Sequence, residues 1–96
     1  MLILVTYDVS TETAAGRKRL RHVAKICVSY GIRVQNSVFE CHVDASQLVK
    51  LKSELLKAID KDHDSVRLYN LGNRYDLKVE QYGTKQQEDP EGPLVI

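Results

Sequence analysis

The sequence predicts a single α+β domain in which two helices cover one face of a β-sheet. Residues 2–9 are a run of aliphatic, β-branched and aromatic side chains that is typical of a central strand. Two later segments carry apolar residues at helical spacing, and β-prone segments follow each of them. The order strand, helix, strand, helix, then a hairpin and a tail strand indicates a ferredoxin-like sandwich with an extra C-terminal strand.

The first strand is apolar on both faces, so both faces need cover. Strict alternation divides its side chains into one set of Leu2, Leu4, Thr6 and Asp8 and another of Ile3, Val5, Tyr7 and Val9. Two helices cover only one face, which would leave Leu2 and Leu4 exposed. We therefore expect a second copy to pack sheet against sheet in a homodimer, with Asp8 facing the two-fold axis.

The carboxylate of Asp8 ends this apolar strand and is followed by the polar residues Ser10 and Thr11. An ionised carboxylate is costly to desolvate unless a cation or donors meet it. Two interpretations remain open on residue chemistry alone. Asp8 either makes an Asx-type turn with nearby backbone amides, or it is a metal-binding or catalytic carboxylate at the strand's C-terminal edge.

The first helix is predicted over residues 13–30. Its apolar stripe comprises Leu20, Val23, Ala24, Cys27 and Val28. Gly31 is predicted to end it in the left-handed conformation. The bases Arg17, Arg21 and Lys25 recur every four residues and share one face. Gly16 permits the close approach of another chain or of a phosphate, or merely loosens the helix end.

The remaining elements follow from alternation and capping patterns. A strand is predicted over residues 33–43, with Phe39 and Cys41 on its apolar side. Asp44 and Gln47 then form a capping box for the second helix. Its buried stripe is predicted to be Leu48, Leu51, Leu55 and Ile59, with Leu56 beside them. Further strands are predicted at residues 65–71 and 76–82, joined by a hairpin at 72–75.

The last residues differ in composition from the rest. Residues 1–83 are predicted to be the ferredoxin-like domain, and residues 84–96 an acidic linker followed by a short β-prone segment. We expect that segment to pair with a sheet edge, of its own chain or of a partner.

Composition indicates an ordinary soluble domain of 96 residues, with 43% hydrophobic and 28% charged residues. The net charge is only +1, but the charges are unevenly distributed. Residues 17–33 contain six Lys or Arg residues and no acid. This basic run indicates either a polyanion-binding surface or a solvated helix face.

Several other features exclude function classes. The first strand begins directly after Met1, leaving no room for a signal peptide, and no apolar run approaches a membrane span. We therefore expect a cytoplasmic protein without a membrane partner. Cys27 and Cys41 match neither a zinc pattern nor a disulfide framework. The acids around His63 are either a metal site or, more commonly, a solvated turn.

Three motifs together resemble a known family: Thr6-Tyr7-Asp8-Val9, Gly16-Arg17-Lys18-Arg19-Leu20 and Val34-Gln35-Asn36-Ser37-Val38-Phe39-Glu40. With Tyr69-Asn70-Leu71-Gly72 downstream, essentially the whole chain resembles the small CRISPR-associated adaptation nuclease family. Members of that family are the smaller of the two proteins that acquire new spacers in CRISPR immunity.

The resemblance implies a ferredoxin-like homodimer with Mg²⁺ between the protomers, bound by Asp8 of each. It also implies roles in activity or nucleic-acid contact for Tyr7, Arg17, Arg19, Arg33 and Phe39. Family members are described as endoribonucleases on single-stranded RNA, as nucleases on double-stranded DNA, and as scaffolds for the larger adaptation integrase. The expected activity is a Mg²⁺-dependent endonuclease, which spacer acquisition need not require.

The chemistry fits this expectation only if two chains cooperate. Mg²⁺ is usually bound by one or two carboxylates and several waters, and a single chain offers little besides Asp8. No general base is evident, because His22, His42 and His63 fall on the first helix, in mid-strand and in a distal turn. A non-catalytic DNA-binding scaffold is therefore the competing hypothesis. A generic RNA-binding module is a third, but the sequence lacks the basic-Gly-aromatic motif of such modules.

Overall fold

The computed structural model describes residues 1–74 and 78–83. Their elements, in chain order, are β1 (Leu2–Asp8), α1 (Ala14–Tyr30), β2 (Gly31–Gln35), β3 (Val38–His42), α2 (Ala45–Ala58) and β4 (Ser65–Gly72). This β-α-β-β-α-β order confirms the predicted ferredoxin-like architecture.

The sheet has the strand order β2-β3-β1-β4, and every neighbouring pair is antiparallel. β1 is central, as its composition predicts. The face of β1 that carries Ile3, Val5 and Tyr7 packs into a core with both helices, and Phe39 from β3 is completely buried there. The other face of the sheet, here called the outer face, carries Leu4, Thr6 and Asp8.

A tight hairpin replaces the single strand that the sequence predicts over residues 33–43. Asn36 and Ser37 form a turn between β2 and β3, with a register shift where Arg33 and Gln35 meet β3. The polar stretch Gln35-Asn36-Ser37 is therefore a connection rather than the start of a strand. The predicted single strand was wrong because the alternation of residues 37–43 was extended back through this turn.

Gly31 does not end α1 in the left-handed conformation, so that prediction was wrong too. Its backbone is extended, with φ −163°, and it begins β2 directly. A Cβ at Gly31 would lie 2.2 Å from the carbonyl oxygen of Glu40 and 2.6 Å from the Sγ of Cys41. Glycine is required here because β2 and β3 approach closely.

Both helices begin with the caps that their sequences indicate. The Thr13 side chain accepts a hydrogen bond from the Gly16 amide at 3.0 Å. Asp44 and Gln47 form the predicted capping box, with bonds of 2.7 and 2.9 Å. No helix within residues 1–74 and 78–83 is both long and apolar enough to cross a membrane.

The buried cysteines are core residues. Cys27 and Cys41 are free thiols with no exposed surface. Burial raises the pKa of Cys27 to about 12 and that of Cys41 to about 11. Both thiols are therefore protonated at neutral pH and are poor nucleophiles.

The outer face is less exposed at one end than predicted. Leu4 is partly exposed, but Leu2 is only 1% exposed, so the expectation for Leu2 was wrong. Lys78 lies at this end of the sheet, where its Nζ donates to the Leu71 carbonyl at 3.0 Å. Leu71 precedes Gly72, which is the register partner of Leu2.

The strand predicted over residues 76–82 is not formed by residues 78–83, which are irregular. A strand needs a hydrogen-bonded neighbour, and this segment belongs to none of the ladders of the sheet. Residues 75–77 and 84–96, and with them the predicted linker and terminal β-segment, lie outside the described residues.

Candidate functional site

Asp8 is exposed at the C-terminal end of β1, on the outer face of the sheet. Its register partner is Ser65, the first residue of β4. Among residues 1–74 and 78–83, no hydrogen bond or ion pair engages the Asp8 carboxylate. The Asx-turn interpretation of Asp8 is therefore wrong within the described structure, and the carboxylate is free to bind an external group.

A different carboxylate, Asp64, meets the backbone amide that follows β1. Its Oδ1 accepts from the Ser10 amide at 3.1 Å, and its Oδ2 accepts from the Asp60 amide at 2.8 Å. Arg19 donates to Oδ2 through Nε at 2.7 Å. The hydrogen bond from Arg19 is the largest cause that lowers the pKa of Asp64 to about 2, so this carboxylate is ionised at neutral pH.

Asp64 was missed by sequence reasoning, which treated residues 60–64 as a solvated turn or a metal cluster. Within the described residues, no group of three or more His, Cys, Asp or Glu side chains could hold a metal ion. His63 lies 3.0 Å from the carboxylate of Asp60 through Nδ1. The acids of this turn therefore organise the polypeptide itself.

The other face of β1 carries an aromatic and cationic stack. Tyr7 and Phe39 are stacked with ring centroids 6.2 Å apart, and the Arg33 guanidinium lies 5.0 Å from the centroid of Phe39. Burial raises the pKa of Tyr7, and a hydrogen bond with Arg33 partly offsets that rise. Tyr7 is therefore a neutral phenol, and its hydroxyl points toward the Asn36 carbonyl at 3.4 Å.

This stack borders a cleft of about 330 Å³ between α1 and the β2–β3 turn. Its polar lining comes from Tyr7, Arg21, Arg33, Asn36 and Ser37. Two guanidinium groups and several neutral hydrogen-bonding groups in one cleft can bind a phosphate or another planar oxyanion.

The basic residues of α1 form an exposed cationic surface. Arg17, Lys18, Arg21 and Lys25 are all exposed, and Arg17 Nη1 donates to the Thr11 carbonyl at 3.0 Å. Arg21 belongs both to this basic set and to the lining of the cleft. Several exposed cations along one helix can attract a polyanion.

The structure separates the residues that the resemblance implicates. Asp8 lies on the outer face, whereas Tyr7, Arg33 and Phe39 lie on the helix face, and Arg19 is ion-paired to Asp64. Phe39 is 0% exposed, so it supports Arg33 from below and does not itself reach a ligand. Among these residues, Asp8, Arg17 and Arg33 are exposed to a ligand in a single chain.

Arg67 and Tyr69 were not predicted as site residues, although alternation within β4 could have found them. Thr6 pairs with Arg67 and Leu4 with Tyr69, which puts both side chains on the face of Asp8. The Arg67 guanidinium lies 5.2 Å from the Tyr69 ring centroid. The outer face therefore carries a stacked cation two residues from the register partner of Asp8.

The Asp8 carboxylate is a suitable ligand for a hard divalent cation. It is an exposed oxygen donor with no other partner in the described structure, and Mg²⁺ sites commonly use one or two such carboxylates with waters. Among the described residues, no acid pairs with Asp8 on the ladders of its sheet, and a second copy of the chain would supply a further carboxylate.

Together, these features define a small ferredoxin-like domain with an exposed strand-end carboxylate on one face and a cationic helix and cleft on the other. Residues 1–79 match the family described as CRISPR associated protein Cas2. The chain belongs to this family.

Two relatives align with this chain over its full length. The chain is 58% identical to the CRISPR-associated endonuclease Cas2 of Halalkalibacterium halodurans and 56% identical to the CRISPR-associated endoribonuclease Cas2 of Chlorobaculum tepidum, each over 100% of both chains. The crystal structure of Streptococcus pyogenes Cas2 superposes with a TM-score of 0.76 at 59% identity, over 86% of this chain and 100% of that one. A Thermus thermophilus structure matches with a TM-score of 0.72 at 32% identity, over 94% of this chain and 96% of that one.

Proposed function

We propose that this protein is a metal-dependent endonuclease of the CRISPR adaptation machinery that cleaves phosphodiester bonds of double-stranded DNA or single-stranded RNA. The single observation that carries the proposal is the exposed carboxylate of Asp8, which ends a buried strand and has no partner among the described residues. The names of the relatives, one an endonuclease and one an endoribonuclease, support the reaction class.

The proposed active unit is a homodimer in which the outer faces of two sheets pack together. Because Asp8 lies at the strand end on that face, two copies of its carboxylate would meet across the two-fold axis. Without a cation the two charges would repel each other. A Mg²⁺ ion bound there would activate a water and offset the charge that develops on the phosphodiester.

The remaining residues bind and orient the substrate. Arg17, Lys18, Arg21 and Lys25 on α1 would bind consecutive phosphates, and Arg33 would bind one more beside the cleft. Phe39 helps to hold the Arg33 guanidinium in place, since its ring lies beneath it, and Tyr7 stacks beside Phe39. These contacts address the sugar–phosphate backbone, so they accommodate DNA and RNA alike.

The proposal is tested by titrating Mg²⁺ into cleavage reactions on single-stranded RNA and on duplex DNA. Asp8→Asn keeps the size of the side chain but removes the charge, so cleavage of either substrate should fall by at least about 100-fold. Asp62→Asn removes an exposed carboxylate to which the proposal gives no role, and it is the matched control. Cleavage by Asp8→Asn at the rate of the wild type would refute a catalytic role for Asp8.

A second candidate function is a non-catalytic scaffold that holds duplex DNA for the larger CRISPR adaptation integrase. The observation that favours it is the separation of the basic surface of α1 from Asp8, on opposite faces of the sheet. The scaffold hypothesis expects Asp8→Asn to keep duplex binding, integrase docking and spacer acquisition. Loss of acquisition by an Asp8→Asn protein that still binds both partners would exclude it.

A further inference from the structure

We propose that Arg19 and Asp64 form a clamp that positions the strand end carrying Asp8, and that Arg19 is a positioning residue rather than a phosphate ligand. The inference that the clamp positions Asp8 for cleavage rests on the proposed function. The inference that Arg19 is not a phosphate ligand rests on geometry alone. Asp64 carries no role in the resemblance, and Arg19 was predicted there as a substrate-binding residue.

The Asp64 carboxylate is fully engaged. Its side chain has no solvent-accessible surface, and its oxygens accept four hydrogen bonds: from Arg19 Nε at 2.7 Å, Arg19 Nη2 at 3.3 Å, the Ser10 amide at 3.1 Å and the Asp60 amide at 2.8 Å. A carboxylate has about four acceptor positions. Asp64 thus joins the loop after β1, the helix α1 and the turn before β4 in one contact.

The loop after β1 is held from both sides. The Ser10 amide is bound by Asp64, and the Ser10 carbonyl oxygen would be only 2.1 Å from a Cβ on Gly16. Gly16 therefore lets the start of α1 pack directly on the Ser10 peptide. Ser10 follows Asp8 by two residues, and Asp64 immediately precedes Ser65, the register partner of Asp8. Both backbone segments that flank Asp8 consequently depend on the clamp.

Arg19 is unlike its neighbours on α1. Its Nε and Nη2 donate hydrogen bonds to the buried Asp64 carboxylate, and only 23% of its side chain is exposed. Arg17, Lys18 and Arg21 on the same helix are exposed. Redirecting Nε and Nη2 of Arg19 to a phosphate would leave the Asp64 charge buried without its cation, which is strongly unfavourable. Arg19 consequently acts on the reaction through the position of Asp8.

The salt dependence of duplex binding tests the assignment of Arg19. Each phosphate contact that is lost should reduce the log–log slope by about 0.9. Arg21→Gln, which removes an exposed arginine two residues away, should reduce the slope by that amount. Arg19→Gln should leave the slope unchanged. A reduction for Arg19→Gln equal to that for Arg21→Gln would overturn the assignment.

Amide hydrogen exchange tests the clamp directly. Asp64→Asn has one acceptor oxygen in place of two, so at least one of the Ser10 and Asp60 amides should exchange faster than in the wild type. Arg19→Lys keeps the charge but loses the two-pronged contact and should give a smaller effect. Circular dichroism identifies the temperature at which every variant is folded. Unchanged exchange at both Ser10 and Asp60 in folded Asp64→Asn would overturn the clamp.

Cleavage kinetics test the consequence for Asp8. If the clamp positions Asp8, Arg19→Gln should lower kcat by at least about ten-fold while KM stays within about two-fold of the wild-type value. Unchanged kcat in a variant with faster Ser10 exchange would show that the clamp does not position Asp8. Absence of cleavage by the wild type would refute the proposed function, while the slope and exchange measurements would still decide the clamp.

Discussion

Three acidic side chains show how placement decides what a carboxylate can do. Asp64 is buried and accepts four hydrogen bonds, so it is a structural ion. Glu40 is partly buried on the outer face opposite Leu4, and burial raises its pKa. Asp8 is exposed and has no partner among the described residues. Among these three, only Asp8 is free to bind an external cation.

The depressed pKa of Asp64 makes stability depend on pH in a defined window. Because the folded-state pKa is about 2, below the ordinary value of 3.8, the ionised form stabilises the folded protein. That contribution is complete above the ordinary value and is lost as the pH falls toward 2. The Tm of Asp64→Asn should therefore lie well below that of the wild type at pH 7, and the difference should shrink as the pH falls from about 4 toward 2. Thermal unfolding across pH measures this, with Asp62→Asn as the control; a gap that persists at low pH would contradict it.

The stack beneath Arg33 gives a prediction that separates charge from orientation. Arg33→Gln removes the cation and should weaken duplex binding and reduce its salt slope by about 0.9. Phe39→Leu keeps the cation but removes the ring below it. This variant should weaken binding without changing the slope, because Arg33 is still charged but less well oriented. Titrations at several salt concentrations decide between the two effects. Equal slope changes in both variants would contradict the proposed role of Phe39.

At the scale of elements, composition and periodicity predict most of the fold. β1, α1, α2 and β4 lie within a residue or two of their predicted positions, because their apolar patterns and caps are strong. The β2–β3 hairpin was missed because Asn36-Ser37 lacks the glycine of the commonest two-residue turns. Gly31 was predicted to end the helix. Glycine is needed there because β3 approaches closely, and the local sequence around Gly31 does not reveal that approach.

Gly31→Ala tests that close approach. An added Cβ would meet the Glu40 carbonyl at 2.2 Å and Cys41 Sγ at 2.6 Å, so β2 must move away from β3. We expect a loss of about 2 kcal/mol in the free energy of unfolding, within the usual range for overpacking. Ser53→Ala, at an exposed position of α2, should change it by less than about 0.5 kcal/mol. Urea unfolding measures both, and an unchanged midpoint for Gly31→Ala would contradict the packing.

At the scale of the whole molecule, the helices cover one face of the sheet and leave the other for a partner. Leu4 and Tyr69 are partly exposed on the outer face, next to the partly buried Glu40. Alternation within β1 was enough to place Asp8 on this face. The Asp64 clamp could not be predicted, because its partners are 45 and 54 residues away in sequence and no local pattern links them.

The proposed homodimer gives the central claim its most direct test: the metal needs one Asp8 from each chain. Wild type and Asp8→Asn are mixed in equal amounts, allowed to exchange subunits, and assayed for cleavage at constant total protein. If both carboxylates are required, only dimers of two wild-type chains are active, and the rate should be about one quarter of the unmixed wild-type rate. A rate of about one half would show that each chain acts with its own Asp8 and would contradict the shared site.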